Sequence, residues 1–329
     1  MRILITGSSG QIGTNLALRL LEEGHEVFGV DKRINPWTDA FRYLLQDLAA
    51  PYHDFTGGIG GVPYPPCDIV VHLAANAKVH ELVEHPHRAL ENITITYNVL
   101  EYARQNGGIP IIFSSSREVY GDIRRYLTEE THADFGYTES PYSASKISGE
   151  ALIYSYARCY GLRYLVFRFS NVYGRYDNDL ERMERVIPLF IKKISAGEPV
   201  TIYGREKVLD FTYVDDCVEG VVRGIYRLLS GEVVNQTINL AYGEGNTLIR
   251  MAQLVGEALG VTPEIKIEPS KRVGEVTHYI ANIGRARQLL GYTPQISLEE
   301  GIKRAVAWNI EWESRKQRRG LYHSLPNEL

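Results

Sequence analysis

The feature that most constrains this fold is a glycine-rich turn, residues 7–13 with the sequence GSSGQIG, set between an apolar run and a helical pattern. The run Ile3-Leu4-Ile5 before the turn predicts a buried strand, and the apolar residues from Ile12 to Leu21 recur at helical spacing. A strand, a tight glycine turn and a helix in this order are typical of the first unit of a parallel α/β sheet. Glycines let the backbone approach an anionic group, which the free N–H groups at the helix start can bind.

Further apolar runs and helical patterns alternate along the first half of the chain. Strands are predicted at residues 3–5, 26–31, 68–73, 110–114 and 162–168, with helices at 90–104 and 143–160. Such alternation predicts an α/β fold with a doubly wound parallel Rossmann sheet that has helices on both faces. The stretch 49–66 is rich in glycine and proline and is interpreted as a loop.

The length of 329 residues suggests about two domains at roughly 150 residues each. We expect a Rossmann domain at 1–170 that binds a ligand at its glycine turn, with a return segment at about 208–242. A smaller α+β lobe that binds the substrate would take residues 171–207 and 243–329.

Charge and composition exclude several classes of function. Lys and Arg (36) against Asp and Glu (40) give a net charge of −4, which argues against nucleic-acid binding as the main role. No apolar stretch approaches the ~20 residues of a membrane span, and no signal peptide is expected. Cys67, Cys159 and Cys217 are scattered without metal-ligand spacing. We therefore expect a cytoplasmic protein with no metal site.

An acidic residue, Asp31, ends the second predicted strand 18 residues after Gly13. A carboxylate there can accept both ribose hydroxyls of an adenosine and would repel a 2′-phosphate, so the sequence predicts NAD as the cofactor. The basic neighbours Lys32 and Arg33 leave NADP open, and a glycine turn without any ligand is the remaining alternative.

Tyr142 and Lys146 are spaced i and i+4 in a predicted helix, which places them on one face. A phenol titrates near 10, and a neighbouring ammonium with a nicotinamide cation would lower that pKa. The pair therefore predicts a general base for neutral pH. Ser114, Ser115 and Ser116 follow the fourth strand at the carboxyl edge of the sheet, where a serine could hold a reacting oxygen.

With these motifs the chain resembles extended short-chain dehydrogenase/reductases of the NDP-sugar epimerase and dehydratase group, the family of UDP-galactose and UDP-glucose 4-epimerase. The resemblance runs from Met1 to about Trp312. Besides the glycine loop, Asp31, Ser116 and the Tyr142/Lys146 pair, it depends on Asp47-Leu48, His72-Leu73-Ala74-Ala75, Asn92, Val119-Tyr120-Gly121, residues 168–174 (RFSNVYG) and residues 210–216 (DFTYVDD).

The resemblance implies a set of site residues. Cofactor contacts would come from Gly7, Gly10, Gln11, Ile12, Gly13, Asp31, Lys32, Asp47, Leu48, Leu73, Ala74, Ala75, Asn92, Ser114, Tyr142 and Lys146. Substrate contacts would come from Lys78, Ser116, Asn171, Arg205, Lys207 and Arg272. Leu209 departs from the family pattern, because many relatives have a phosphate-contacting arginine there, and Arg205 or Lys207 could substitute for it.

The resemblance implies an NAD-dependent NDP-sugar 4-epimerase that acts through a transient 4-keto sugar, with a UDP-sugar as partner and a homodimer as assembly. Catalysis would depend on Ser116, Tyr142, Lys146 and Glu118. Two alternatives stay open. Glu118 stands where sugar dehydratases and UDP-glucuronate decarboxylases carry an acid, although Arg117 replaces the aspartate of many 4,6-dehydratases. A non-catalytic NAD-binding scaffold or sensor is the alternative from another class.

Overall fold

The computed structural model describes residues 1–51, 53–178, 180, 185–270 and 272–323, and side chains as far as residue 316. The strands are β1 (Arg2–Thr6), β2 (Glu26–Asp31), β3 (Arg42–Leu45), β4 (Gly58–Ile59), β5 (Val62–Pro63), β6 (Ile69–His72), β7 (Ile111–Ser116), β8 (Tyr164–Phe169), β9 (Asn171–Tyr173), β10 (Val200–Tyr203), β11 (Val208–Tyr213), β12 (Gln236–Leu240), β13 (Gly245–Thr247), β14 (Ile265–Glu268) and β15 (His278–Tyr279). The helices are α1 (Gln11–Glu22), α2 (Val79–Glu84), α3 (His87–Gln105), α4 (Pro141–Tyr160), α5 (Val186–Ser195), α6 (Val214–Ser230), α7 (Leu248–Leu259), α8 (Gly284–Leu290) and α9 (Leu298–His323).

Seven strands form one large sheet in the order β12–β8–β7–β6–β1–β2–β3, and every neighbouring pair is parallel. The chain order reverses at β1, which lies between β2 and β6. In open parallel sheets this reversal opens a crevice at the carboxyl ends of the strands, where ligands bind. The predicted doubly wound Rossmann-type sheet is confirmed.

Helices cover both faces of the sheet, so its central strands carry apolar residues on both faces. Ile3 and Ile5 belong to the buried cluster that includes Leu16 of α1 and Val221 of α6. Leu4, between them, belongs to the opposite cluster with Val99 of α3 and Ile153 of α4. Successive strand residues point to opposite faces, and a two-sided core therefore explains the continuous apolar runs.

Smaller sheets form the remainder of the fold. β11 pairs with β9, β13 and β15, while β10 pairs with β14. In the predicted return segment, α6 packs on α1 and β12 pairs with β8, whereas β11 lies outside the large sheet. The domain boundaries stay a prediction. Within the described ranges, no helix is long and apolar enough to cross a bilayer.

The start of α4 fixes the position of the predicted catalytic pair. The Ser140 hydroxyl accepts the Ser143 N–H at 3.2 Å, and the Ser143 hydroxyl accepts the Ser140 N–H at 3.0 Å. Pro141 occupies the first helical position. This reciprocal cap satisfies N–H groups that a helix start leaves unpaired. Tyr142 is therefore held in the first turn, with Lys146 one turn further on.

Candidate active site

A cleft of about 460 Å³ opens at the carboxyl ends of β1, β2, β6, β7 and β8. Predicted site residues in its wall are Gly7, Gly10, Gln11, Ile12, Gly13, Asp31, Lys32, Asp47, Leu48, Leu73, Ala74, Ala75, Lys78, Ser114, Ser116, Glu118, Tyr142, Lys146 and Asn171. The volume lies in the ordinary range for small-molecule sites. The structure thus brings together most of the residues that the motifs singled out.

The glycine turn is too tight for side chains. A Cβ on Gly7, whose φ is +73°, would lie 2.7 Å from the Ala74 nitrogen, and a Cβ on Gly13 would lie 2.3 Å from the Gly7 carbonyl oxygen. No side chain caps the N-terminus of α1, and no acidic residue lies in its first turn. The turn therefore leaves backbone N–H groups open to an anion and fits the pyrophosphate of a dinucleotide.

Asp31 ends β2 at the edge of this cradle. Its carboxylate accepts the N–H groups of Ser9 and Arg33, both at 3.0 Å, which hold it at the cleft wall. The neighbouring Lys32 ammonium donates to the Asn76 side-chain oxygen at 3.1 Å. One of the two cations that left NADP open is therefore engaged by Asn76, which favours NAD.

Asn92 lies behind the cleft wall and is buried. Its side-chain oxygen accepts the Asn76 N–H at 2.7 Å, and its amide nitrogen donates to the Asn76 carbonyl at 3.0 Å and to the Ser145 hydroxyl at 3.1 Å. Asn76 itself lines the cleft. Asn92 therefore connects the loop after β6 to helix α4 through hydrogen bonds. Its predicted direct contact to the cofactor stays a prediction.

Tyr142 is buried. Burial raises the pKa of its phenol to about 12, the Ser116 hydroxyl acts to lower it, and the Glu118 carboxylate adds to the rise. The Tyr–Lys spacing predicted a lowered pKa instead. The difference arises because burial penalises the phenolate more than the Ser116 hydroxyl and the charges of Arg185 and Arg117 favour it.

Lys146 is also buried, and its ammonium donates to the Ser114 carbonyl at 2.7 Å. The ammonium nitrogen lies 5.8 Å from the centre of the Tyr142 ring. Burial lowers the pKa of Lys146 to about 8, against the attraction of Glu150. The lysine side chain therefore bridges the β7 edge and the tyrosine, which is where a group that serves both cofactor and phenol must lie.

Glu150 follows Lys146 by one helical turn and anchors a buried ion pair. Arg168 of β8 donates to both Glu150 carboxylate oxygens, at 2.8 and 2.6 Å. The Ser115 hydroxyl also donates to the same carboxylate, at 2.5 Å. This network joins α4, β7 and β8 directly behind the Ser116, Tyr142 and Lys146 side chains.

Arg117 and Glu118 follow Ser116 in a short 3₁₀ turn and both line the cleft. An Arg117 Nη2–Glu118 Oε1 ion pair of 2.9 Å joins them, and Arg117 Nε donates to Asn171 Oδ1 at 3.3 Å. Burial raises the pKa of the Glu118 carboxyl, while Arg117 lowers it.

Three predicted substrate contacts lie away from the cleft wall. Arg205 is exposed, Lys207 forms an ion pair with Glu275, and the Arg272 guanidinium stacks 4.4 Å from the centre of the Tyr203 ring. Their roles as substrate contacts stay predictions. Leu209, where relatives carry arginine, is buried in the core.

Arg185 lines the cleft, and sequence analysis missed it. It donates to the Gln11 side chain and, at 3.0 Å, to the Val172 carbonyl, and its Nε lies 3.3 Å from Asp177 Oδ1. The only sequence signal was the high charge of the surrounding stretch. Among the described residues, no group of three His, Cys, Asp or Glu side chains could hold a metal ion.

A glycine cradle facing a serine, tyrosine and lysine at the carboxyl edge of a parallel sheet defines the extended short-chain dehydrogenase/reductase class. Residues 3–241 match the NAD dependent epimerase/dehydratase family. The chain belongs to this family, which confirms the predicted enzyme class and NAD as its cofactor.

The relatives span two kinds of sugar. The chain is 31% identical over 319 residues to a UDP-glucose 4-epimerase of Mycolicibacterium smegmatis, covering 93% of this chain and 97% of that one. The structure of UDP-glucose 4-epimerase with UDP-glucose from Thermotoga maritima gives a TM-score of 0.84 at 30% identity, covering 95% and 100%. The structure of UDP-glucuronic acid 4-epimerase from Bacillus cereus, in complex with UDP-glucuronic acid and NAD, gives a TM-score of 0.82 at 25% identity. The match covers 95% of this chain and 100% of that one.

Proposed function

We propose that this protein is an NAD-dependent NDP-sugar 4-epimerase that acts on a UDP-sugar through a transient 4-keto sugar. The observation that carries the proposal is that Ser116, Tyr142 and Lys146 line one cleft together with the glycine cradle, with the Lys146 ammonium 5.8 Å from the centre of the Tyr142 ring. The relatives that bind UDP-glucose or UDP-glucuronic acid support a UDP-sugar as substrate.

The chain's own residues have distinct roles in this proposal. Ser116 orients the sugar hydroxyl at C4, and Lys146 stabilises the phenolate form of Tyr142. That phenolate takes the hydroxyl proton and becomes a neutral phenol. When bound at Gly7, Gly13 and Asp31, NAD supplies a hydride acceptor and a positive charge that favours the phenolate. In the return half of the cycle the Tyr142 phenol gives this proton back to the inverted oxygen and becomes a phenolate again beside Lys146. Lys78 and Asn171 line the cleft and are the proposed contacts to the nucleotide sugar.

The test of this proposal is Tyr142→Phe. Loss of a general acid/base is expected to lower turnover of the UDP-sugar by about 10²- to 10⁴-fold. NAD binding should persist, because the phenol oxygen is not the cofactor's main anchor, whereas Lys146→Ala should impair both turnover and NAD binding. Near-wild-type turnover in Tyr142→Phe would contradict the mechanism. A wild-type protein that retains NAD but converts no UDP-sugar would instead be a scaffold or sensor.

A dehydratase or UDP-glucuronate decarboxylase is the second candidate, and the position of Glu118 favours it. This carboxyl lines the cleft, and burial raises its pKa, as a proton-transferring acid requires. Its partner is Arg117, however, whose guanidinium cannot donate a proton usefully at neutral pH. An epimerase yields a product of unchanged mass, and Glu118→Gln should retain some activity. A product that has lost water or carbon dioxide, with the loss abolished in Glu118→Gln, would support the second candidate.

We also infer that the protein works as a homodimer through α3 and α4. These two helices pack together and expose apolar side chains, with Leu90 66%, Tyr97 41% and Tyr160 56% exposed. Burial of such a patch is a common reason for association. Light scattering across a range of concentrations should give twice the chain mass of 37.2 kDa, and a monomer mass throughout would contradict the inference.

A cytoplasmic location stays part of the proposal. All three cysteines are free thiols, which suits a reducing compartment. Fractionation of the native cell should recover the protein with cytoplasmic markers, and recovery from an oxidising compartment would contradict it.

A further inference from the structure

The ion pair beside Ser116 leaves two polar atoms without partners. The ion pair joins Arg117 Nη2 to Glu118 Oε1. The other two polar atoms are shielded from solvent: within the described ranges Arg117 Nη1 donates no hydrogen bond, and Glu118 Oε2 accepts none. Both residues line the cleft, and Glu118 is only 5% exposed. A buried donor or acceptor without a partner is costly, so such atoms at a binding site indicate groups that a ligand satisfies.

The pair lies next to the proposed reacting position. The Glu118 N–H donates to the Ser116 hydroxyl at 3.2 Å, and Ser116 and Tyr142 line the same cleft. Arg117 is further fixed by Asn171, whose amide nitrogen donates to the Asp210 carbonyl at 2.9 Å. A sugar whose C4 hydroxyl contacts Ser116 and Tyr142 therefore presents a substituent of a neighbouring carbon to this pair.

The two open atoms complement a hydroxyl group. A hydroxyl can accept from Arg117 Nη1 and donate to Glu118 Oε2 at the same time. A carboxylate has acceptors only. It can accept from Arg117 Nη1, but beside the ionised form of Glu118 it has no proton to offer Oε2 and meets a like charge. Glu275, Asp122 and Glu139 also raise the pKa of Glu118, which shows that further negative charge surrounds it, although Lys207 pairs with Glu275. Like charges brought together in a desolvated site strongly disfavour a wrong ligand.

We propose that Arg117 and Glu118 select UDP-sugars that carry a hydroxyl-bearing neutral substituent beside the reacting carbon, such as the hydroxymethyl group of UDP-glucose, over those with a carboxylate there, as in UDP-glucuronate. The inference rests on the proposed function and assigns one of the two sugar types found among the relatives. It gives Glu118 a role in specificity that does not require proton transfer.

Binding measurements on the NAD-loaded Tyr142→Phe protein test this assignment without turnover. Calorimetric titration is expected to give UDP-glucose an affinity about 100-fold or more above that of UDP-glucuronate. With Glu118→Gln added, side-chain size is kept and the charge is lost, so the ratio should fall below about tenfold, mainly through tighter UDP-glucuronate binding. UDP alone reports whether each variant still folds and binds the nucleotide, and its affinity should not change.

A matched control is Glu206→Gln, which removes an exposed carboxylate paired with Arg124 outside the cleft. It should leave the affinity ratio unchanged. Equal affinities for the two sugars, tighter UDP-glucuronate binding, or an unchanged ratio in Glu118→Gln would overturn the assignment while the proposed function stands. If neither UDP nor either UDP-sugar binds, the proposed function fails and the assignment fails with it.

Discussion

Replacing Glu150 by glutamine breaks the buried ion pair behind the proposed catalytic residues. Arg168 and Glu150 are 4% and 5% exposed, so the substitution leaves a guanidinium in the interior without its counter-charge. The Ser115 hydroxyl also loses its charged acceptor. Because all three side chains belong to elements that carry the site, the effect should reach both stability and catalysis.

Breaking a buried pair by removing one partner costs about 3–5 kcal/mol, and glutamine keeps the shape and one acceptor, so we expect about 3 kcal/mol. An unfolding entropy of roughly 2.1 cal/mol/K per residue over a chain of this length converts that loss into a Tm decrease of about 4 °C. Glu150 also raises the pKa of Lys146, which is about 8. Without Glu150 that pKa falls further, and a smaller fraction of Lys146 is charged at neutral pH.

Calorimetry on wild type and Glu150→Gln at equal NAD loading measures the Tm change, since bound cofactor itself raises apparent stability. Glu219→Gln is the matched control. This carboxylate pairs with Arg19 and Arg223 at the surface, where such pairs contribute little, and its Tm should change by less than about 1 °C. A Glu150→Gln protein with the wild-type Tm and wild-type turnover would refute the reasoning.

Two further predictions concern the cradle and the buried histidine of β6. Gly13→Ala should weaken NAD binding by at least about tenfold in a fluorescence titration, because the added Cβ would lie 2.3 Å from a backbone oxygen. The control is Gly136→Ala, whose added Cβ meets only the Asp134 side chain, at 3.2 Å, and which should leave NAD binding unchanged. Burial lowers the pKa of His72 from 6.5 to about 3, so the unfolded chain takes up a proton that the folded one does not. As pH falls from about 6.5 towards 3, wild type should lose about 1.4 kcal/mol per pH unit relative to His72→Gln in urea unfolding. A difference in unfolding free energy between wild type and His72→Gln that stays constant from about pH 6.5 to 3 would contradict the lowered pKa of His72.

Local signals made part of this site predictable from the sequence. The glycine turn, Asp31 at the end of β2, and Tyr142 with Lys146 on α4 each depend on spacing along a few residues. Spacing of this kind is set by helix and strand periodicity, and the structure places all of them in one cleft. β3 was missed because its residues Arg-Tyr-Leu-Leu occupy a sheet edge and lack the apolar run of a central strand.

Other parts depend on contacts between distant segments. Arg185 meets Gln11 across 174 residues, and Asn76 meets Asn92 through α3, which no local pattern indicates. The pKa of Tyr142 depends on burial, which outweighs the neighbouring charges. The ion pair between Arg117 and Glu118 likewise depends on the three-dimensional arrangement of the turn after β7.

The central claim is that the hydrogen removed from C4 of a UDP-sugar returns to C4 on the opposite face. The most direct measurement follows UDP-glucose deuterated at C4 with the purified protein and resolves the product by NMR and mass spectrometry. The account predicts UDP-galactose of unchanged mass with the deuterium retained at C4. Exchange of that deuterium for solvent hydrogen, or a product that has lost water, would contradict it.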